Sequence, residues 1–486
     1  MTLPEDVAHA GPLQVSPGVS IERTMSLCHV CHRKVAAELF EQGGDVWIRK
    51  ACPEHGEFEA RYWRDAALYR AMSEVVGDYR FCKTFECLDG VECDRCMQKA
   101  YNLMLEVTNR CNLDCPVCCS DANNPYSRDP SIEQIVNRLP AARGGLLGKL
   151  RRPNIVLFGG EPTVRKDLPE LIRALVARGY IPRLATNGVR LTDDAYLDKL
   201  WDAGLRWVIL QFDGFDDDVS QRLRGERLHQ QKMEAIRKMT AHGFKVQLGT
   251  MMVRGVNSHY AADIIKFVGS HDKLFWMSFY PNASQSRFDP ALGDTHTADM
   301  FAEIERTTEG RITAGDFVRS MRVFSWAYKF LRVPNLRQKM STAPIILVFK
   351  GEEYFPLVRL LDPKVAIRNL ALVAKLALAI PKVLFYQSRY TPPFLKFLVV
   401  ERFHSEETID LQEASNCHMS FMTHWAFPPF DLYNIAAKKR GAWEPVEEFR
   451  NRTQGGRGPE TAFVSVPTAP GTLITPPGAR GVRTAT

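Results

Sequence analysis

The chain has 486 residues, 45% of them hydrophobic and 24% charged, with a net charge of +7. That apolar content excludes a wholly disordered protein and allows a large core with more than one domain. The charge excess is too small for this length to require a nucleic-acid partner, and no nucleic acid is expected; it suits an anionic substrate or a membrane surface.

Residues 1–20 read as a loose leader. Met1 to Gly18 carries acidic residues, Pro and Gly with no basic-then-apolar run, so it does not read as a signal peptide. Residues 21–100 form a cysteine-rich module with short strands such as Asp45 to Arg49. Residues 101–285 alternate in pattern. Strands are expected at 103–108, 154–158, 181–186, 206–212, 245–252 and 274–279, with helices at 131–142, 168–178, 194–203, 229–242 and 258–269. Six such units predict an α/β fold with right-handed crossovers, a partial (β/α)6 TIM barrel whose chemistry sits at the carboxyl ends of the strands. Residues 286–450 are less periodic and read as a mixed α+β region facing substrate or membrane. The tail 451–486 is rich in Gly, Pro, Thr and Arg and reads as disordered. No stretch reaches the roughly 18 apolar residues of a membrane span.

Of twelve cysteines, eleven lie between Cys28 and Cys119 and only Cys417 follows. In an unexported chain such clustering reads as metal ligation, not as disulfides. Cys28 and Cys31 form a C-x2-C knuckle, followed by Cys52 and His55. These four complete a tetrahedral set for one zinc or iron, with His55 the member a more distant cysteine could replace. Cys82, Cys87, Cys93 and Cys96 suit an auxiliary [4Fe-4S] cluster, or a second zinc. Cys111, Cys115 and Cys118 stand at C-x3-C-x2-C directly after the first barrel strand. Three thiolates on one loop can hold three irons of a [4Fe-4S] cluster and leave the fourth open to a small molecule. Cys119 reads as a small buried thiol, since a fourth thiolate would close that iron.

This loop, with its strand, resembles the radical S-adenosylmethionine (radical SAM) superfamily, although Val117 stands where that family carries an aromatic residue. The resemblance implies that the open iron chelates SAM and that one electron splits it to methionine and a 5′-deoxyadenosyl radical. Further segments fit at successive strand ends. Gly159, Gly160, Glu161 and Pro162 resemble the family's GGEPT motif, with paired glycines for close backbone approach to a ligand and a carboxylate for the SAM ammonium. Thr186 and Asn187 resemble its TNG. Gln211 and Asp213 resemble its S-x-D-G turn, with Gln211 in place of serine. The segment holding Arg254, at the end of strand five, stands where the family packs backbone against adenine. Each segment alone is a common turn; their order behind the cysteine loop is what carries the resemblance.

The order of the Cys28–Cys31, Cys52–His55 and Val107-Thr-Asn-Arg-Cys111 motifs also resembles the archaeal tetraether lipid synthases and the related methanopterin methylases, over about residues 21–280. That implies hydrogen abstraction from an unactivated carbon, with C–C bond formation or alkylation on a lipid chain as the leading expectation. A pterin-like small molecule is the alternative, and a reduced ferredoxin- or flavodoxin-like protein the electron donor. One segment supports the lipid reading independently. Lys364, Arg368, Lys375 and Lys382 fall on one face of a helix whose other positions are largely apolar, with Pro381 ending or kinking it. Such a helix suits an anionic bilayer, and equally a core-packed helix with snorkelling lysines. The expected location is cytoplasmic, peripheral at the inner face of the membrane. Outside the enzymes, an iron-sulfur electron carrier or a zinc-ribbon binding protein remains open.

Overall fold

Gly43 and Gly44 set the N-terminal sheet. Both have positive φ, 62° and 81°, the two-residue turn that matches the twist of a hairpin. They join β2 (Lys34–Gln42) to β3 (Asp45–Cys52), which pair antiparallel between β1 (Val19–Leu27) and β4 (Gly56–Trp63). The computed structural model describes residues 18–77, 85, 102–123, 129–139, 154–285, 287–331, 337–386, 392–417, 419–423 and 427–437. Cys82, Cys87, Cys93 and Cys96 lie outside these, as do nearly all of the 1–20 leader and the whole 451–486 tail.

The second sheet has ten strands. β5 (Asn102–Thr108), β6 (Asn154–Gly159), β7 (Pro182–Thr186), β8 (Trp207–Gln211), β9 (Lys245–Met252) and β10 (Leu274–Pro281) run parallel side by side. Each lies within two residues of its expected bounds at either end. Helices Leu168–Ala177, Asp194–Asp202, His229–His242 and Ala261–Gly269 fall where expected, the last preceded by a 3-10 turn. The expected helix 131–142 is described as Ile132–Arg138, opened by a capping box between Ser131 and Gln134. A helix that the pattern did not show, Asp217–Arg224, follows β8; it is short and its sequence is mostly polar.

The C-terminal region extends this sheet. β11 (Thr342–Lys350) and β12 (Glu353–Pro356) form an antiparallel edge. β13 (Leu395–Glu401) pairs parallel with β10, and β14 (Met419–Phe421) pairs parallel with β5. The parallel part therefore holds eight strands in the order β13-β10-β9-β8-β7-β6-β5-β14. Residues from both ends of that order line one cavity, so the sheet curls into a partial barrel.

The expected single helix over 364–382 is two helices. Asn369 breaks it at φ −125° and ψ 30°, its side chain donating to Val365 O at 2.8 Å while its carbonyl accepts from Val373 N. The second helix, Leu370–Tyr386, continues through Pro381. It buries Leu372, Leu376 and Ala379, with Leu372 and Leu376 packing on Val348 and Leu395 of the sheet.

Buried polar contacts fasten the N-terminal sheet to the barrel. Arg402, just after β13, donates to Glu413 Oε1 at 2.6 Å and to the Tyr62 hydroxyl at 3.3 Å. Thr24 donates to Asp410 at 2.8 Å, and the Lys50 ammonium to the carbonyls of Leu27 and Glu406 at 2.9 and 3.1 Å. Burial works against a charge on Glu413, but the Arg402 guanidinium beside it holds the carboxyl down to about 2. Removing one partner of a buried pair leaves the other charge uncompensated, so Glu413→Ala is expected to cost about 3–5 kcal/mol in urea unfolding. The depressed carboxyl stabilises fully above the ordinary glutamate range of about 4.3, and this contribution is lost as pH falls towards about 2.

Candidate active site and metal centre

Side chains alternate along each strand, so every second residue faces one way. Asn102 and Met104 of β5, Trp276, Ser278 and Tyr280 of β10, and Val399 and Glu401 of β13 all line a cavity of about 300 Å³. Cys111, Cys115 and Cys118 line it too, with Gly159, Gly160, Glu161, Thr186, Asn187 and Gln211. The structure thus gathers the cysteine loop and three strand-end motifs around one space.

Gly159 and Gly160 line the cavity, and their lack of a Cβ also lets the chain's own backbone approach. A Cβ on Gly159 would lie 2.0 Å from Thr108 O, and one on Gly160 2.3 Å from Arg110 O. The backbone they admit is the chain's own: Gly160 N donates to Thr108 O at 2.8 Å and Glu161 N to Arg110 O at 2.9 Å. Glu161 is buried and accepts on Oε1 from Thr163 N, Thr163 Oγ1 and Thr186 Oγ1, at 3.0, 2.7 and 2.8 Å. Its Oε2 accepts from Asn187 N at 2.7 Å. Burial raises this carboxyl, and the four donors work against the rise. Glu161 is therefore first a tie between the ends of β6 and β7. Pro162 is buried beneath it and does not reach the cavity wall.

Other side chains fix the cysteine loop, and the sequence did not single them out. Asn187 donates to Asn112 Oδ1 at 2.8 Å, and Cys111 N to Asn123 Oδ1 at 2.8 Å. Arg287 bonds Asp114 and donates to the Cys115 carbonyl, while its backbone exchanges two bonds with Cys118. Val117 packs with Val219, Leu223, Val253 and Val256, an aliphatic seat where an aromatic was expected. Arginines so far along the chain have no spacing signal that links them to the loop.

Asp213 is not among the cavity walls: it is buried and holds Arg224 through two bonds of 2.7 Å. Arg224 is what reaches the cavity. The Gln211 side chain lines it, with its carbonyl and Oε1 bonded by Lys232 Nζ at 2.7 and 3.0 Å. Burial lowers Lys232 to about 8. Arg254 is an exposed side chain away from the cavity, 3.7 Å from Asp299. At that turn Asn257 does the bonding, accepting from Val253 N and donating to the carbonyls of Asp213 and Met251. Cys119, expected as a small buried thiol, is half-buried, packs against the main core and forms part of the cavity wall.

Three thiols on one fixed loop at the wall of a cavity fit an iron-sulfur cluster with an open iron. Burial pushes the Cys111 thiol up to about 12 and raises Cys115, so metal binding must displace their protons.

In the N-terminal sheet, Cys28, Cys31, Cys52 and His55 bring one ligand atom each within 4.8 Å of one another. Cys31 and Cys52 sulfurs are 3.8 Å apart, and His55 Nδ1 is 3.4 Å from Cys52 Sγ and 3.7 Å from Cys28 Sγ. Zn–S bonds of about 2.3 Å in a tetrahedron give an S···S edge of about 3.8 Å, which the Cys31–Cys52 pair matches, so the donor set suits zinc.

Residues 105–268 match the radical SAM superfamily, and residues 20–64 match the HMPTM N-terminal zinc ribbon domain. The 7,8-dihydro-6-hydroxymethylpterin dimethyltransferase of Methanocaldococcus jannaschii is 34% identical over 362 residues, spanning 70% of this chain and 71% of that protein. The chain belongs to the radical SAM superfamily. It is a radical SAM enzyme with a zinc ribbon, and its cofactors are a [4Fe-4S] cluster and SAM. The probable GTP 3′,8-cyclase of Pyrococcus abyssi is 32% identical over 178 residues, 36% of this chain and 55% of the cyclase. Among solved structures, Streptococcus suis SuiB aligns with a TM-score of 0.35 at 13% identity, covering 60% of this chain and 68% of that one.

Two substitutions test the two centres. Gly160→Ala would force Asn109 and Arg110, and the cysteine loop they begin, off the end of β6, and is expected to cut SAM cleavage by at least about 100-fold, with reduced iron per chain after anaerobic reconstitution. Cys28→Ser is expected to abolish the single zinc of the ribbon in elemental analysis while leaving the iron bound.

Proposed function

We propose that this radical SAM enzyme activates a C–H carbon of a pterin-like heterocycle, for alkylation there. Cys111, Cys115 and Cys118 hold the cluster, and Glu161, Thr186, Asn187 and Gln211 position SAM. Held there, a [4Fe-4S] cluster would supply one electron, drawn from a ferredoxin- or flavodoxin-like donor, for cleavage of the C5′–S bond of SAM to methionine and a 5′-deoxyadenosyl radical able to take hydrogen from an unactivated carbon. The chain's own residues set where that happens.

The observation that carries the pterin reading is an unpaired polar group in the cavity wall. Arg183 lines the same space at 7% exposure, and its Nε has no hydrogen-bond partner among the described residues. A hydrocarbon chain would leave that donor without polar contact, at about 1–3 kcal/mol. A heterocycle offers it an acceptor. The relative named for a pterin substrate supports the same choice over the lipid expectation.

The test is isotopic. The anaerobically reconstituted enzyme, given reductant, SAM and carbon-deuterated 7,8-dihydro-6-hydroxymethylpterin, is expected to move deuterium into 5′-deoxyadenosine. Deuterium-free 5′-deoxyadenosine, formed at the same rate with and without the pterin, would overturn the reading.

One surface favours a second reading, a lipid substrate met at a bilayer. Leu361, Ile367, Leu370 and Leu378 are each 65–74% exposed, and Lys364, Arg368 and Lys375 stand exposed among them. An apolar face with a basic border suits an anionic interface. No described helix is long and apolar enough to cross a membrane. If the surface acts this way, flotation with anionic vesicles is expected to carry the protein up the gradient and to fail for Leu370→Glu/Leu378→Glu.

A further inference from the structure

The cavity follows the strands along most of their length. On β7 its wall is made by Arg183, Ala185, Thr186 and Asn187. Asn187 bonds Asn112, so it marks the end where the cysteine loop stands. Arg183 lies four residues earlier, about 13 Å away at the rise of a strand. The two ends of the cavity therefore face different parts of what fills it.

Towards the amino end, the neutral polar groups bond one another. Asn154 Nδ2 donates to Asn102 Oδ1 at 3.0 Å, and Gln247 and Trp276 both donate to Ser278 Oγ, at 3.0 and 3.2 Å. Arg183 is the exception. It is buried, yet it forms no hydrogen bond and no ion pair among the described residues. Its Cζ stands 4.6 Å from the ring centroid of Trp207, its register partner on β8. Lys245, the partner of Trp207 on β9, places its Nζ 4.8 Å from the same ring. The indole attracts both cations through its π face but supplies neither an oxygen acceptor nor a full negative charge. Burial and the positive charges of Lys273 and Arg183 lower Lys245 to about 8, so cations converge at this end.

A guanidinium keeps its charge at any physiological pH and has five donors and no acceptor. A neutral carbonyl would satisfy part of that fork and leave a buried charge uncompensated. An oxyanion answers both needs, since two of its oxygens match two N–H groups of the fork.

We propose that Arg183 binds an oxyanion, a phosphate or a carboxylate, that the substrate carries at the end of the cavity away from the cysteine loop. The assignment rests on the pterin reading above and deepens it: the heterocycle bears an anionic substituent. Held at Arg183, that substituent fixes how far the ring reaches towards the SAM end of the cavity.

The experiment uses the reconstituted full-length protein and three probes: 7,8-dihydro-6-hydroxymethylpterin, its O-phosphate ester, and 7,8-dihydropterin-6-carboxylate. Wild type is expected to bind one of the two anionic probes at least about 30-fold more tightly than the alcohol, the range for pairing a buried charge. Arg183→Met is expected to reduce that preference below about 3-fold with SAM affinity unchanged. Orthophosphate is expected to compete with the preferred anionic probe and to leave the affinity for the alcohol as it was. If wild type binds all three probes equally, or if Arg183→Met keeps the preference, the assignment is overturned and the pterin reading stands. If orthophosphate raises the affinity for the alcohol to that of the anionic probe, the anion is a separate ligand, and its placement on the substrate is overturned. Should Arg183→Met fail to fold, Arg183→Gln decides: loss of the preference supports the assignment and its retention overturns it. If wild type binds none of the probes, both readings fall together.

Discussion

Contact between two pieces of backbone organises this molecule. Gly159 and Gly160 lie so close to Thr108 and Arg110 that no side chain fits between them. The hydrogen bonds of Gly160 N and Glu161 N draw the start of the cysteine loop onto the end of β6. Glu161 then passes the constraint to β7 through Thr186 and Asn187, and Asn187 returns it to the loop through Asn112. The circuit closes on itself. Rigid placement of the three thiols therefore comes from strand-end geometry together with polar side chains of the loop such as Asn112 and Asp114.

The six central strands were legible because each is a short apolar run buried on both faces and bounded by turn residues. The cysteine loop was legible because its ligands are close in sequence. What escaped was pairing across long separations. β14 meets β5 over more than three hundred residues, and three residues of Met-Ser-Phe carry no local signal of that partner. The same holds for Arg224 and Arg287, which reach the loop through tertiary contacts. The basic helix misled for a local reason. Asn369 caps one helix and starts another, so positions that share a face on one straight cylinder are divided between two.

The paired glycines serve the fold as well as the cavity they line. A glycine pair at a strand end signals close approach of something. One such partner is the chain's own backbone, and the carboxylate that follows also bonds its neighbours. Motif order identified the family, whereas only the contacts assigned the labour within it.

The ribbon's attachment has a wider meaning. Lys50, on the strand that ends in Cys52, bonds the carbonyl of Glu406, and Tyr62 contacts Arg402, the neighbour of Phe403. The ribbon is therefore joined by short covalent and hydrogen-bonded links to Phe403, a ring of the cavity wall. Its fold and the shape of that wall are not independent of one another.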